Sequence, residues 1–214
     1  MPRIDDYKQA FKLASEQLSD KNPDLVSRFS GAEIERDKEG RATLFLKMLN
    51  QKLSITWPGF TFGSGQAGVE VPIQQQVLCL HYLCGALASS GAETTGEWIS
   101  FQEIPDGRFY MDPFQRRGKN PMVMTFGEKP ELLLKIATEM YGAVPFNRGD
   151  VSVVVRALPL VPIALILWQG DEEFPPEGNI LFDRSIIGFF SAEDVAWLAG
   201  MVVYPMIGRA KAKE

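Results

Sequence analysis

Histidine occurs once in this sequence, as His81, and cysteine twice, as Cys79 and Cys84. A single imidazole leaves triad and zinc-hydrolase chemistry little material. Basic charge is also scarce. The chain carries 22 Lys and Arg against 27 Asp and Glu, a net charge of −5, with both signs dispersed. A nucleic-acid backbone requires a basic stripe or patch, so nucleic acid is not expected as a partner. The densest basic group, Arg116-Arg117 with Lys119, reads as a solvated loop, or else as a contact for an anionic partner. Long apolar runs are missing too: the uncharged stretches 158–168 and 195–208 fall short of the ~20 residues that a membrane span needs. Met1 to Asp6 has early acids where a secretion signal would have a basic segment followed by an apolar run. The expectation is a cytoplasmic chain with no membrane association.

No glycine-framed serine nucleophile, Gly-Lys-Ser/Thr phosphate loop, metalloprotease helix pair or cysteine-pair zinc pattern occurs. Gly63 to Gly68 does match the dinucleotide-binding glycine spacing. Its setting is wrong, because Val69-Glu70-Val71-Pro72 delays the next helix and the surrounding strands read as antiparallel. Cys79 and Cys84 share a predicted helix, where five residues of axial rise separate them by about 7.5 Å. That is too far for a disulfide, so free thiols are expected. His81 and Cys84 are three apart on the same helix, a spacing that allows a thiolate–imidazole pair. The helix is apolar nearly all round, which favours a core histidine instead. Cys79 projects from another side, so no iron–sulfur or zinc site is expected within this chain.

What the sequence does hold is enough apolar residue, 45%, to bury a substantial core. Helical spacing runs from Asp5 to Leu18 and is predicted to stop before Asn22-Pro23. Segments 32–36, 42–49 and 52–57 read as an antiparallel meander, with the second strand expected to be covered on both faces. Pro72 opens a buried central helix over 73–88. Residues 97–104 and 108–111 flank Pro105-Asp106-Gly107 and read as a second hairpin. The aromatics around them, from Trp98 to Phe114, suit either core or a ligand wall. Pro130 and Gly142 bound another helix, 151–156 is a strand, and 163–168 with 179–183 makes a third hairpin. Ser191 and Asp194 form a capping-box pattern ahead of a terminal helix, and Ala210 to Glu214 is expected to fray. The fold class predicted is α+β: an antiparallel sheet built from a meander and hairpins, packed with a buried central helix and N- and C-terminal helices. No linker or shift of composition marks a boundary, so residues 1–214 are expected to form one domain.

The connection of the third hairpin is the richest local pattern. Asp171, Glu172 and Glu173 are consecutive acids bracketed by Trp168, Phe174 and two prolines. Two readings stand: a solvated loop anchored by Phe174 folding back, or a recognition surface made of Trp168, Asp171, Glu172, Glu173 and Phe174. Adjacent carboxylates also suit a hard cation. Asp183 falls on the return strand, roughly 15 Å from the tip, too far to join them.

Several phrases in a fixed order carry a resemblance. They are Leu80-His81-Tyr82-Leu83, Gly96-Glu97-Trp98-Ile99-Ser100-Phe101, Leu167-Trp168 with Gly170-Asp171-Glu172-Glu173-Phe174-Pro175, and Leu181-Phe182-Asp183. Over roughly Val77 to Leu198 the chain resembles a prokaryotic family catalogued as domain of unknown function 3786. Some members look fused to a small cysteine-rich iron–sulfur domain, similar to one in corrinoid iron–sulfur proteins of anaerobic one-carbon metabolism. This chain departs from that arrangement in having no such cysteine-rich segment. The resemblance implies an anaerobe and an iron–sulfur or corrinoid protein as neighbour, and it brings no catalytic residue. The function expected is therefore a binding or accessory module, linked to anaerobic redox or corrinoid cofactor metabolism, that takes a partner protein or a small molecule. The alternative is a cation-dependent enzyme in which Asp171, Glu172 or Glu173 holds the ion or moves a proton.

Overall fold

The computed structural model describes residues 4–66 and 68–212. They fall into two compact units, each with its own antiparallel sheet and helices. The α+β class read from the sequence holds.

The first unit comprises the chain up to Glu93 together with Leu158–Leu160 and Gly188–Phe190. Helices α1 (Ile4–Ser19) and α2 (Pro23–Ser30) precede the sheet β1 (Glu33–Arg36), β2 (Ala42–Met48), β3 (Gln51–Trp57) and β4 (Phe62–Ser64), in that order and antiparallel throughout. Helix α2 was not anticipated. Asn22-Pro23 ends α1, but it also starts α2: the Asn22 side chain accepts from Asp24 N at 2.8 Å, and proline fits the first helical turn. Strand β2 is fully covered on one face and only partly on the other, which corrects the expectation of cover on both. Ala42, Leu44, Leu46 and Met48 are buried, whereas Phe45 is half-buried under Lys52 and Lys47 is exposed. Helix α3 (Ile73–Ala88) is the core helix, with Leu80, Tyr82 and Leu83 fully enclosed. The Tyr82 hydroxyl donates to Ser30 O at 2.6 Å and accepts from Leu160 N at 3.3 Å, so a large ring is buried with its polar tip satisfied.

The second unit holds a sheet of five strands in the order β5 (Trp98–Ser100), β9 (Glu177–Asp183), β8 (Val161–Trp168), β7 (Val151–Leu158) and β6 (Val144–Pro145). Helices α4 (Met111–Phe114), α5 (Asn120–Phe126), α6 (Pro130–Tyr141) and α7 (Ala192–Lys211) accompany it. The β8–β9 hairpin expected from the sequence is formed, its register running from Ile163 opposite Phe182 to Trp168 opposite Glu177. Trp98 and Phe146 lie 5.1 Å apart, centroid to centroid, over Ala164, Ile166 and Leu181. The capping box of α7 is present, Ser191 Oγ accepting from Asp194 N and Asp194 Oδ2 accepting from Ser191 N, both at 3.2 Å. Among the described residues no helix is long and apolar enough to cross a membrane.

Two sequence readings are overturned in this unit. The hairpin expected over 97–111 is absent beyond the three residues of β5. Instead, 3₁₀ turns occupy Phe101–Glu103 and Gly107–Tyr110. The cause is a capping box: Glu103 Oε2 accepts from Ser100 N at 2.7 Å and from its hydroxyl at 2.8 Å, which bends the chain out of the strand. The bend stacks Phe101 on Phe114 at 4.2 Å, with Phe182 edge-on to both. The Arg116–Lys119 segment is no loop either. It forms a π-helical turn, Gln115–Lys119, between α4 and α5. Arg117 lies over the Trp197 ring at 4.3 Å and Arg116 pairs with Asp112 at 3.0 Å. Gly118 permits the close approach, since a Cβ there would sit 3.0 Å from that of Ala199.

Candidate functional site

Strand β8 is buried along nearly its whole length, and Trp168 is the first side chain to emerge, 41% exposed. The connection from Gln169 to Pro176 that follows is pinned at several points, all within the second unit. Asp150 N donates to Leu167 O at 3.0 Å, and Gln169 N donates to Asp150 Oδ2 at 2.8 Å. Gly149 makes this approach possible: its φ is +61°, and a Cβ would lie 2.7 Å from Leu167 O. Within the loop, Asp171 N donates to Phe174 O at 2.9 Å, and Asp171 Oδ1 accepts from Glu173 N and Phe174 N, each at 2.8 Å. These two N–H groups hold the Asp171 carboxyl below its ordinary range. At the far end Pro176 presses on Gly127, where a Cβ would come within 2.7 Å of the proline ring.

The turn therefore spends its first acid on its own backbone and points the rest outward. Glu172 and Glu173 are exposed, and Phe174 is 67% exposed. Phe174 does not fold back as an anchor; the Asp171 hydrogen bonds fix the turn without it. Asp183 lies at the opposite end of β9, opposite Trp98 in the β5 register and away from the acidic loop. Among the described residues, no three or more His, Cys, Asp and Glu side chains are grouped so as to hold a metal ion.

Beside the loop base is a cleft of about 470 Å³, lined by Glu128, Lys129, Glu131, Asp150 and Gln169 among others. The sequence reading missed it. Its acids Glu128 and Glu131 are distant in sequence from Asp150 and from the hairpin, and the contacts of 149–150 with 167–169 and of Gly127 with Pro176 bring them together.

The remaining candidates resolve into structure. Burial pushes the Cys79 thiol up to about 12 and that of Cys84 up to about 11, so neither supplies a thiolate near neutrality. Cys79 contacts Met48 at 3.6 Å, and both cysteines are free. Gly63 and Ser64 belong to β4, paired with β3, and the helix expected of a nucleotide loop begins only at Ile73. Ala67 of that glycine run lies outside the described residues. Of the aromatics near the π turn, Phe101 and Phe114 are core, while Phe109 is exposed.

A family model described as Domain of unknown function (DUF3786) matches residues 22–204. The chain belongs to the DUF3786 family. No curated protein and no solved structure matches it. In this DUF3786 chain most of the phrases that carried the resemblance have folding duties. Leu80, Tyr82 and Leu83 fill the first core. Trp98-Ile99-Ser100 pairs with Leu181-Phe182-Asp183 as adjacent strands of the second sheet. Trp168 and the 170–175 phrase are different: their largest apolar side chains face solvent.

Proposed function

We propose that this DUF3786 chain is a cytoplasmic binding or accessory module that docks a partner through the loop from Trp168 to Pro175. The observation that carries this reading is the exposure of Trp168 and Phe174 on a turn whose backbone is fixed at both ends. Aromatic anchors of this kind dominate binding energy in interfaces. A turn already held by Asp171, Gly149 and Gly127 has little ordering left to lose on docking. The resemblance to proteins joined to iron–sulfur domains makes an iron–sulfur or corrinoid protein the first partner to try.

The test is affinity capture from the native host with wild type and with the double variant Trp168→Ala, Phe174→Ala. Retention of the specific partner should fall by at least about tenfold, the loss typical of removing two anchors. The urea midpoint should shift by little, since surface substitutions change stability by about 0.5 kcal/mol or less. Undiminished retention by a folded double variant would remove the loop from the interface.

A further inference from the structure

We infer that the partner presents a basic protein segment, whose lysine or arginine side chains enter the cleft beside Gln169 while apolar side chains between them cover Trp168 and Phe174. This rests on the docking reading above and specifies what docks.

Three stretches of chain meet here. Residues 128–131 and 150–151 line the cleft with Gln169. Asp150 is bonded to both ends of the Leu167–Gln169 strand exit. Gly127 touches Pro176 at the close of the loop. Together, residues 128–131, 148–151 and 168–177 contain seven acids, Glu128, Glu131, Asp150, Asp171, Glu172, Glu173 and Glu177, against two bases, Lys129 and Arg148. That imbalance equals the net charge of the whole chain, −5, so the rest of the sequence is neutral in sum. Acids spread evenly would create no directed field. Acids gathered on one side attract a basic partner and repel an acidic one over about a Debye length, ~10 Å at 0.1 M salt. The acids are exposed, so their charge reaches solvent instead of being spent in the core.

Charge fixes the sign of the partner, and the aromatics fix its class. A free polyamine would satisfy the carboxylates and leave Trp168 and Phe174 in water. A nucleic acid would be repelled. A protein segment alternating basic with apolar residues matches both features, and electrostatic complementarity of this sort sets on-rate and specificity.

The full chain should bind a fluorescein-labelled peptide alternating lysine and leucine, read by anisotropy, with affinity that weakens as salt is raised. The same peptide with glutamate for lysine should bind at least about tenfold more weakly. Glu128→Lys with Glu131→Lys should lose about tenfold toward the lysine–leucine peptide. Because Glu131 lies in the first turn of α6, where lysine opposes the helix dipole, Glu172→Lys with Glu173→Lys provides a second charge reversal off the helix. Equal binding of the basic and acidic peptides, or indifference of both reversals, would overturn the basic partner. Equal binding of a lysine–serine peptide would assign the cleft to polycations and overturn the protein segment. A native partner lost on Trp168→Ala with Phe174→Ala but retained by both reversals would leave docking standing and remove only its basic character.

Discussion

Replacing Asp183 with alanine is expected to destabilise the protein by roughly 3–5 kcal/mol in urea unfolding. Asp183 is only 2% exposed. Its Oδ1 accepts from Thr95 N at 3.0 Å, Thr95 Oγ1 at 3.1 Å and Ser185 N at 2.9 Å, and its Oδ2 accepts from Gly96 N at 2.7 Å. One carboxylate thus satisfies the backbone entering β5 and the backbone leaving β9. Without it three N–H groups lose their acceptor, each costing about 1–3 kcal/mol where water cannot substitute. The neighbouring ion pair, Arg184 Nε and Nη2 on Glu97 at 2.6 and 2.7 Å, is solvent-exposed and adds little, so the loss belongs to Asp183.

The same carboxylate gives stability an acid limb. Burial alone would raise its pKa, but the hydrogen bonds from Thr95, Ser185 and Gly96 outweigh burial and hold it below the ordinary range. A group depressed on folding contributes fully above its unfolded value, ~3.9, and its contribution is lost as pH falls through the folded value. The gap between wild type and Asp183→Asn should accordingly be widest near neutrality and shrink below about pH 4. Equal urea midpoints for wild type and Asp183→Ala at neutral pH would contradict the cradle.

Gly85→Ala is expected to destabilise by roughly 2–4 kcal/mol, although alanine is the better helix former by about 1 kcal/mol. Gly85 lies in α3, and a Cβ there would come 2.5 Å from Phe189 Cα, 2.6 Å from Phe189 O and 2.9 Å from Gly188 O. These are backbone atoms, which cannot swing aside as the end of a side chain can, so overpacking outweighs propensity. Gly208→Ala is the control. It lies in α7 with nothing within 4 Å of the added methyl, and should stabilise by up to about 1 kcal/mol. The same exchange with opposite signs separates packing from propensity; a stable Gly85→Ala variant would mean that α3 stands away from Phe189.

Residues whose local chemistry agrees with their final place were legible in the sequence. Pro72 and the apolar stretch behind it mark α3, Pro130 and Gly142 bracket α6, and Ser191 with Asp194 caps α7. The β8–β9 hairpin was legible because β8 is continuous and apolar and its connection is rich in proline and acid. Residues 97–111 misled because β-prone aromatics surround an Asp-Gly turn, while the Ser100–Glu103 box that redirects them is a four-residue signal. Arg116 to Lys119 looked like a loop because charge patterning does not reveal that Arg117 has the Trp197 ring to cover. The grouping of elements into two units leaves no mark in composition, since short segments such as Leu158–Leu160 join residues far from them in sequence. In the candidate site, the loop residues were legible as a cluster, and the cleft acids Glu128, Glu131 and Asp150 were not, because tertiary contact alone assembles them.

The most direct measurement is photo-crosslinking in the native host, with benzoylphenylalanine placed at Phe174 and, as a control, at Leu13, which is exposed on α1. Position 174 should give a discrete adduct with one partner protein and position 13 none. No adduct at 174, or the same adducts from both positions, would contradict a recognition surface on the loop.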